Sequence, residues 1–402
     1  MLSKITDVID NPKLKLCVNS KGVLEAKKPY VWEIAQAALG FGAYAPKKVA
    51  KYLSEHQDQL YQDVDSMATK GLKIGAVQDT IDVIFTQVDA GMVKPDLMAH
   101  VYSNWMGCLS EEKKSAPFLK SVFLPGTHDS GAYNIEWLQK LTSGPDALRT
   151  ASKILGYIPI INDIVEDWTV TQNKTVTQQL NHGIRLFDLR VAYDEDNSSF
   201  YLAHTFALGG LEACLKEFVQ FIDQHPSEMI VINIKPDYPH RDAVYSHEEE
   251  LGALLDSYLG EMMVERDHQD ISLNEAVANH KNIILSYNGS QTVIGKNIWT
   301  SDDAKEFWKN ASNVSDKIEL LNQGAPYAGT AISYTNACVT PNYKTIITAR
   351  SLYDVSQEMN GRLYDLLQTS PATLKDNNIG LIMDFPNDHL VEKIISLNHI
   401  EE

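Results

Sequence analysis

From about residue 118 onward, short apolar runs alternate with amphipathic stretches, and this strand-then-helix order restricts the chain to a small set of architectures. The pattern predicts strands over 121–124, 184–191, 200–203, 229–235, 283–287, 331–334 and 380–385, with helices between them such as 211–225 and 353–368. Repeated strand–helix units favour a largely parallel sheet closed into a barrel, whose chemistry gathers at the C-terminal ends of the strands. His128, Arg190, His204, Lys235 and Asp384 all fall at or just past such ends. Residues 1–100 differ. Val31, Ile34, Ala35, Ala38 and Leu39 recur at helical spacing, as do Val77, Ile81, Ile84 and Val88. They are expected to form an α-helical extension, structural or partner-binding, ahead of an α/β barrel over 104–395.

A chain of 402 residues suits one large domain with a smaller extension. Its formal net charge of −18 argues against nucleic-acid binding, which needs clustered Lys and Arg. The same charge disfavours firm electrostatic docking on anionic membranes, so any membrane contact is expected to be transient and carried by apolar groups. The four cysteines, Cys17, Cys108, Cys214 and Cys338, are scattered without metal-type spacing and read as thiols of a reducing compartment. The first ten residues lack the apolar core of a signal peptide, and no run approaches the length of a membrane span. Cytoplasmic synthesis is the expectation, with export by a non-classical route left open.

The chemistry-bearing residues are weighed one by one. His128 and Asp129 lie in Leu124-Pro125-Gly126-Thr127-His128-Asp129-Ser130-Gly131. A histidine on such a loop is often merely structural or exposed, but the small polar flanks favour a tight turn that holds both side chains inward. Asp188 and Arg190 share one strand face by alternation, as an internal salt bridge or as a working pair. Inside a barrel, charge persists only where it is paired or used. His204, after Phe200-Tyr201-Leu202-Ala203, reads equally as a ligand and as a packed imidazole. Lys235 and Asp237 close another run, as a solvated turn or as contacts to substrate hydroxyls. Asp384 ends the last run, where an acid can fix a histidine's tautomer and stabilise its cation. Two imidazoles, acids and a guanidinium are the inventory for breaking a phosphodiester by internal attack without a metal. One imidazole takes the proton of the attacking hydroxyl, the other protonates the leaving oxygen, and the guanidinium offsets charge growing on phosphorus.

The 124–131 motif, Trp168-Thr169-Val170-Thr171-Gln172, and the stretch from Gln178-Gln179-Leu180 through Asp188-Leu189-Arg190-Val191 together resemble the X domain of phosphatidylinositol-specific phospholipases C. The likeness is to the metal-independent bacterial-type and X-domain-containing branch. Asn104-Trp105-Met106, residues 299–321 and Val339-Thr340-Pro341 also match, so the resemblance spans about 104–395. It implies a distorted, incompletely closed TIM-type (β/α) barrel. It also implies His128 as general base oriented by Asp384, His204 as general acid assisted by Asp129, and Arg190 as the phosphate-binding cation. Lys235 and Asp237 fall where the family contacts the inositol ring, and Tyr287 is expected to join them as a substrate-binding residue. The implied reaction is attack of the inositol 2-hydroxyl on phosphorus, giving diacylglycerol and inositol 1,2-cyclic phosphate from a phosphoinositide or related phospholipid.

The calcium-dependent branch carries an Asn after the first histidine and an acid where this chain has Arg190. No metal and no cofactor are therefore expected, since a fixed guanidinium can do a cation's electrostatic work. One departure is plain: the secreted bacterial enzymes carry an arginine near the 283–287 strand, and Leu285-Ser286-Tyr287-Asn288-Gly289 has none. Residues 135–167 form a long apolar insertion, read either as a membrane-contacting lid or as a helix pair buried on the barrel. Two other functions fit the same residues: a catalytically silent X domain that binds lipid head groups or a protein partner, and a metal-dependent phosphodiesterase acting on glycerophosphodiesters or sphingolipids.

Overall fold

Ile230, Ile232 and Ile234 are completely or almost completely buried, as are Ile283, Ile284 and Leu285. Strands this apolar on both faces belong in the middle of a parallel sheet covered by helices. The structure is a computed structural model and describes residues 102–133, 170–204, 206–290, 295–324, 330–340, 351–376 and 378–398. It also describes two short antiparallel strands, β1 (Cys17–Val18) and β2 (Leu24–Glu25). The chain divides into two compact units, Met1–Ala99 (with Glu402) and His100–Glu401. Apart from β1 and β2, the helical extension expected over 1–100 lies outside the described residues, and so does the 135–167 insertion. Among the described residues no helix is long and apolar enough to cross a membrane.

The second unit contains the barrel. Its strands are β3 (Leu124–Thr127), β4 (Leu186–Asp194), β5 (Ser199–His204), β6 (Phe206–Gly210), β7 (Ile230–Pro236), β8 (Ile283–Tyr287), β9 (Trp299–Thr300), β10 (Ala304–Phe307), β11 (Ile332–Asn336) and β12 (Gly380–Met383). Eight of them follow one another by parallel ladders in the order β10-β11-β12-β3-β4-β7-β8-β9. The two outer strands belong to one segment, 299–307, broken by a turn. Thr300 and Asp303 hold that turn, with Thr300 N and Oγ1 donating to Asp303 Oδ2 at 2.8 and 2.9 Å. β9 reaches β8 and β10 reaches β11, but β9 and β10 share no ladder. The expected barrel is therefore present, nearly closed, with an unsealed seam at this bend.

Helices cover the outside: α1 (Val176–Asn181), α2 (Leu211–Gln224), α3 (Glu248–Leu259), α4 (Val314–Asn322), α5 (Leu352–Thr369) and α6 (Asp388–Ser396). α1 begins with a capping box, in which the Thr175 hydroxyl accepts from Gln178 N and the Gln178 side chain accepts from Thr175 N. α5 begins with a second, formed by Ser351 and Asp354. One continuous apolar cluster joins α4, α5 and α6 to β12 through Ile318, Leu321, Met359, Leu363, Leu381 and Ile394.

Two features differ from the expected elements. The first expected strand, 121–124, is displaced: residues 118–121 are a helical turn, and β3 starts only at Leu124. β5 is not a barrel stave. It pairs antiparallel with β4, Val191 opposite Leu202 and Asp194 opposite Ser199, and then with β6. The alternating-run pattern reads a strand's presence but not its direction, so this hairpin was expected as another parallel unit.

The floor of the barrel depends on a fully buried ion pair absent from the expected site. Arg185, just before β4, lies 2.8–2.9 Å from Glu228 through Nη2 and Nε. Its remaining donors reach the carbonyls of Leu180, Ile184, Tyr102 and Ser103, while Glu228 accepts from the N–H groups of Met106 and Gly107. The pair thus fastens the 102–107 segment beneath β4 and β7. Burial lowers the Arg185 pKa and raises that of Glu228, the mark of charges held at a solvation cost. Arg185→Met strands a buried carboxylate and is expected to cost about 3–5 kcal/mol in chemical denaturation. Adding Glu228→Gln should recover part of that loss in a double-mutant cycle.

Candidate active site

Site residues cluster where β3, β4, β7 and β12 end, and the ladder register explains their level. Arg190 is directly opposite Lys235, and Asp188 is opposite Asn233. Residues paired in a parallel ladder point to the same face, so Asp188, Arg190, Asn233 and Lys235 all line the interior. Phe187, on the other face of β4, packs edge-on against Phe218 of α2. Beyond the mouth β4 continues into the β5 hairpin, which runs back past the Val191–Leu202 pair to end at His204. His128 follows β3 directly, and Asp384 follows β12. Gly126 is required here: a Cβ would lie 2.8 Å from Leu186 Cβ and from two carbonyl oxygens, so only glycine lets β3 pack this closely.

The 128–131 turn is tightly restrained. His128 N donates to Met383 O at 3.0 Å and Ser130 N to Asp188 O at 2.7 Å. Gln172 Nε2 bridges the carbonyls of His128 and Met383 at 2.8 and 3.0 Å, and Thr171 Oγ1 donates to Asp129 O. The Thr-Gln of the 168–172 motif therefore clamps the β3 and β12 loops together. Asp129 itself has φ of +40°, a left-handed conformation that Asp tolerates better than most residues. This strain persists because surrounding bonds fix the loop.

The side chains converge. His128 Nδ1 is 2.9 Å from Asp384 Oδ1, and its Nε2 is 3.4 Å from Asp129 Oδ2. His204 Nε2 is 3.3 Å from that same Asp129 oxygen, and Arg190 Nε is 2.7 Å from Asp129 Oδ1. Two imidazoles and a guanidinium thus surround one carboxylate. These are contacts of charge rather than aligned bonds: His128 Nε2, Arg190 Nε and both Asp129 oxygens are buried without a well-oriented hydrogen-bond partner. Below them, Lys235 Nζ sits 2.8 Å from Asp188 and 2.5 Å from Glu306. Asn336 donates to the other Glu306 oxygen, Asn233 to Tyr334 Oη, and Ser286 to Asn233. Asp237 is buried beside His240, 3.8 Å away.

Electrostatics follow from this crowding. For His128, burial opposes the cation, yet Asp129, Cys338 and Asp384 outweigh it and hold the imidazole pKa well above its usual value. For Asp129, burial is overcome by Arg190, His128 and His204, which keep it firmly ionised. Asp129 is also the main cause of the raised Arg190 pKa. Burial raises Asp237, with His240 and His204 acting against it.

The structure brings together His128, Asp129, Arg190, His204 and Asp384, with Lys235 on the floor and Asp237 at the side. It does not bring Tyr287. By alternation Ser286, not Tyr287, faces inward, and the Tyr287 hydroxyl donates outward to Glu248 of α3 at 2.8 Å. Tyr287 is therefore not placed to bind substrate as the sequence suggests: a strand end fixes height in the barrel, and parity decides the face. Asn233 and Ser286 were readable by counting two back from Lys235 and one back from Tyr287. Glu306 had no sequence signal, because its four-residue strand is too short and polar to be recognised.

The fold is a nearly closed α/β barrel similar to that of solved phosphatidylinositol-specific phospholipase C (PI-PLC) structures. No family model matches the chain. It is similar to PI-PLC X domain-containing protein 2 of Mus musculus, 26% identical over 252 residues, covering 61% of this chain and 71% of that protein. The Homo sapiens counterpart is 26% identical over 250 residues, covering 61% and 79%. PI-PLC X domain-containing protein 3 of Bos taurus is 24% identical over 252 residues, covering 61% and 77%. Among solved structures, the PI-PLC of Listeria monocytogenes superposes with a TM-score of 0.52 at 20% identity, over 74% of this chain and 98% of that one. A mutant PI-PLC of Staphylococcus aureus gives 0.54 at 20% identity, over 75% and 98%. The resemblance to the PI-PLC X domain thus holds in sequence and in fold.

The charge arrangement predicts an NMR titration. His128 should lose its proton with a midpoint above the ordinary imidazole value of about 6.5, because its carboxylate neighbours stabilise the cation. Asp129→Asn should move that midpoint down; an unchanged midpoint would mean the two groups do not interact.

Proposed function

We propose that the protein cleaves phosphatidylinositol or a related inositol lipid by a phospholipase C-type reaction, through attack of the inositol 2-hydroxyl on phosphorus. The observation that carries this reading is the convergence of His128, His204 and Arg190 on Asp129 at 2.7–3.4 Å. His128 takes the 2-hydroxyl proton through Nε2 as the new O–P bond forms, and Asp384 on Nδ1 fixes the tautomer and stabilises the imidazolium. His204, protonated and held by Asp129, gives its proton to the glycerol oxygen as the old P–O bond breaks. Arg190 meets the charge that grows on the phosphoryl oxygens. The products are diacylglycerol and inositol 1,2-cyclic phosphate.

Buried polar atoms without aligned partners are uncommon in folded proteins, and His128 Nε2, Arg190 Nε and both Asp129 oxygens are among those here. A phosphate diester supplies acceptors for Arg190 Nε. Lys235 and Asp237 offer a donor and an acceptor for ring hydroxyls, on a floor completed by Glu306 and Asn336. Both reacting groups reside in one substrate molecule, so orientation alone is worth roughly 7–11 kcal/mol of barrier.

Cation chemistry is placed on protein groups. Asp129 is matched by Arg190 and Asp188 by Lys235, so a metal entering between these acids would meet two fixed positive charges. The proposed reaction is metal-independent for that reason.

Incubation of the full chain with phosphatidylinositol micelles in chelator should yield cyclic inositol phosphate by phosphorus NMR. Lipid binding without turnover would leave a silent head-group-binding X domain instead. His128→Ala and His204→Ala should each lower kcat/KM by roughly 10²–10⁴-fold without altering the fold. The acid limb of kcat/KM should lie above the ordinary imidazole range: His128 must be neutral to act, and its raised pKa delays that until higher pH.

A further inference from the structure

Cys338 is not used by the proposed reaction, yet it lies beside the His128–Asp384 pair. It follows β11, as Asp384 follows β12 and His128 follows β3, so three neighbouring strands deliver the three side chains to one spot. One ligand atom from each, the thiol sulfur, an imidazole nitrogen and a carboxylate oxygen, all lie within 4.8 Å of one another. The shortest of these separations, His128 Nδ1 to Asp384 Oδ1, is 2.9 Å. A tetrahedral zinc ion with ordinary bond lengths needs its ligand atoms roughly 3.3–3.8 Å apart. All three donor atoms lie near enough to one another for a single ion to gather them.

A crevice of about 10 Å³ opens on the α5 side of Cys338 and Asp384, lined also by Ser356 and Asn360. That is room for one water molecule, the usual fourth ligand of an open zinc site. The backbone is already braced: Asn360 Nδ2 donates to the carbonyls of Asp384 and Phe385, and Cys338 N to Asn336 Oδ1. The other candidate cluster of acids and histidine, His128, Asp129 and Asp188, has Arg190 and Lys235 against its carboxylates and repels a cation.

We propose that Cys338, His128 and Asp384 form a binding site for a thiophilic divalent cation of the zinc type, and that its occupation inhibits the enzyme. Resting on the proposed phospholipase reading, the inhibition follows because the metal takes the imidazole lone pair and the carboxylate that orients it. Thiolate selects zinc over magnesium or calcium, which prefer oxygen. Metal binding releases the thiol proton.

The test titrates cobalt(II), a spectroscopic stand-in for zinc, into the full chain in chelator-free buffer. A near-ultraviolet sulfur-to-cobalt charge-transfer band is expected, removed by added zinc and missing in Cys338→Ser; Cys338→Ala serves if the serine variant does not fold. In the lipid assay, micromolar zinc should slow the native protein at least tenfold and leave Cys338→Ser, active without metal, unaffected. No thiolate band, a band that persists in both cysteine variants, or equal zinc inhibition of native and variant protein overturns the site. A Cys338-dependent band in a protein that never turns over lipid upholds the site and overturns the catalytic reading instead.

Discussion

Asp129 is the constraint on which the mouth of this barrel depends. Its carboxylate is 2% exposed, so its charge survives only if nearby cations offset the lost hydration. Arg190, His128 and His204 supply that compensation from three different strands. The dependence runs both ways: without the acid, three cationic or potentially cationic groups would face one another in a low-dielectric recess. Holding the carboxylate there requires the left-handed turn at Asp129, and the turn in turn requires Thr171, Gln172 and Ser130. A motif that looks like a string of small polar residues is therefore a mount for one anion.

A parallel barrel delivers its strand ends to a ring, which places groups side by side more readily than face to face. The β4–β5 hairpin solves this. β4 overshoots the ring by the residues past Val191, and β5 returns antiparallel past Leu202 to bring His204 Nε2 within 3.3 Å of Asp129. The second imidazole thereby approaches Asp129 from a different direction than the first. Under the proposed reaction, base and acid must address opposite sides of one phosphorus, and only a non-stave element can supply that second direction.

How much of this was legible in the sequence depended on period and length. Strands β4, β7, β8 and β12 are buried on both faces and read as continuous apolar runs, so their positions and their end residues were recoverable. β9 and β10 are two and four residues long, with Lys305 and Glu306 inside β10, and no periodicity survives at that length. Glu306 was lost with them. Direction was the second blind spot, since an antiparallel return has the same composition as a stave. Parity was the third: Tyr287 ends its strand at the right height but faces Glu248. Arg185 illustrates a different limit. It lies inside the expected 184–191 strand with nothing in the sequence to mark its depth, and only the three-dimensional arrangement of Glu228 and the Tyr102 and Ser103 carbonyls reveals a fully buried anchor.

The floor and the mouth together alternate in sign, Glu306–Lys235–Asp188 below and Asp129–Arg190 above, and this order decides what the site can accept. Asp129, Asp188 and Glu306 each already have a cation within 2.8 Å. What is left over is the directional capacity of Arg190 Nε, close to charge yet unaligned with it. Fixed donors of that kind need no reorganisation when negative charge develops in front of them, whereas a hydrated ion must shed ligands first. The Cys338 side of His128 is different in character. There the crevice is lined by the Cys338 thiol, the Asp384 carboxylate, Ser356, Asn360 and apolar side chains, with the buried Lys317 of α4 acting on Cys338 from nearby. The same imidazole therefore stands between two environments, one suited to an anion and the other to a soft cation, and occupation of the second withdraws it from the first.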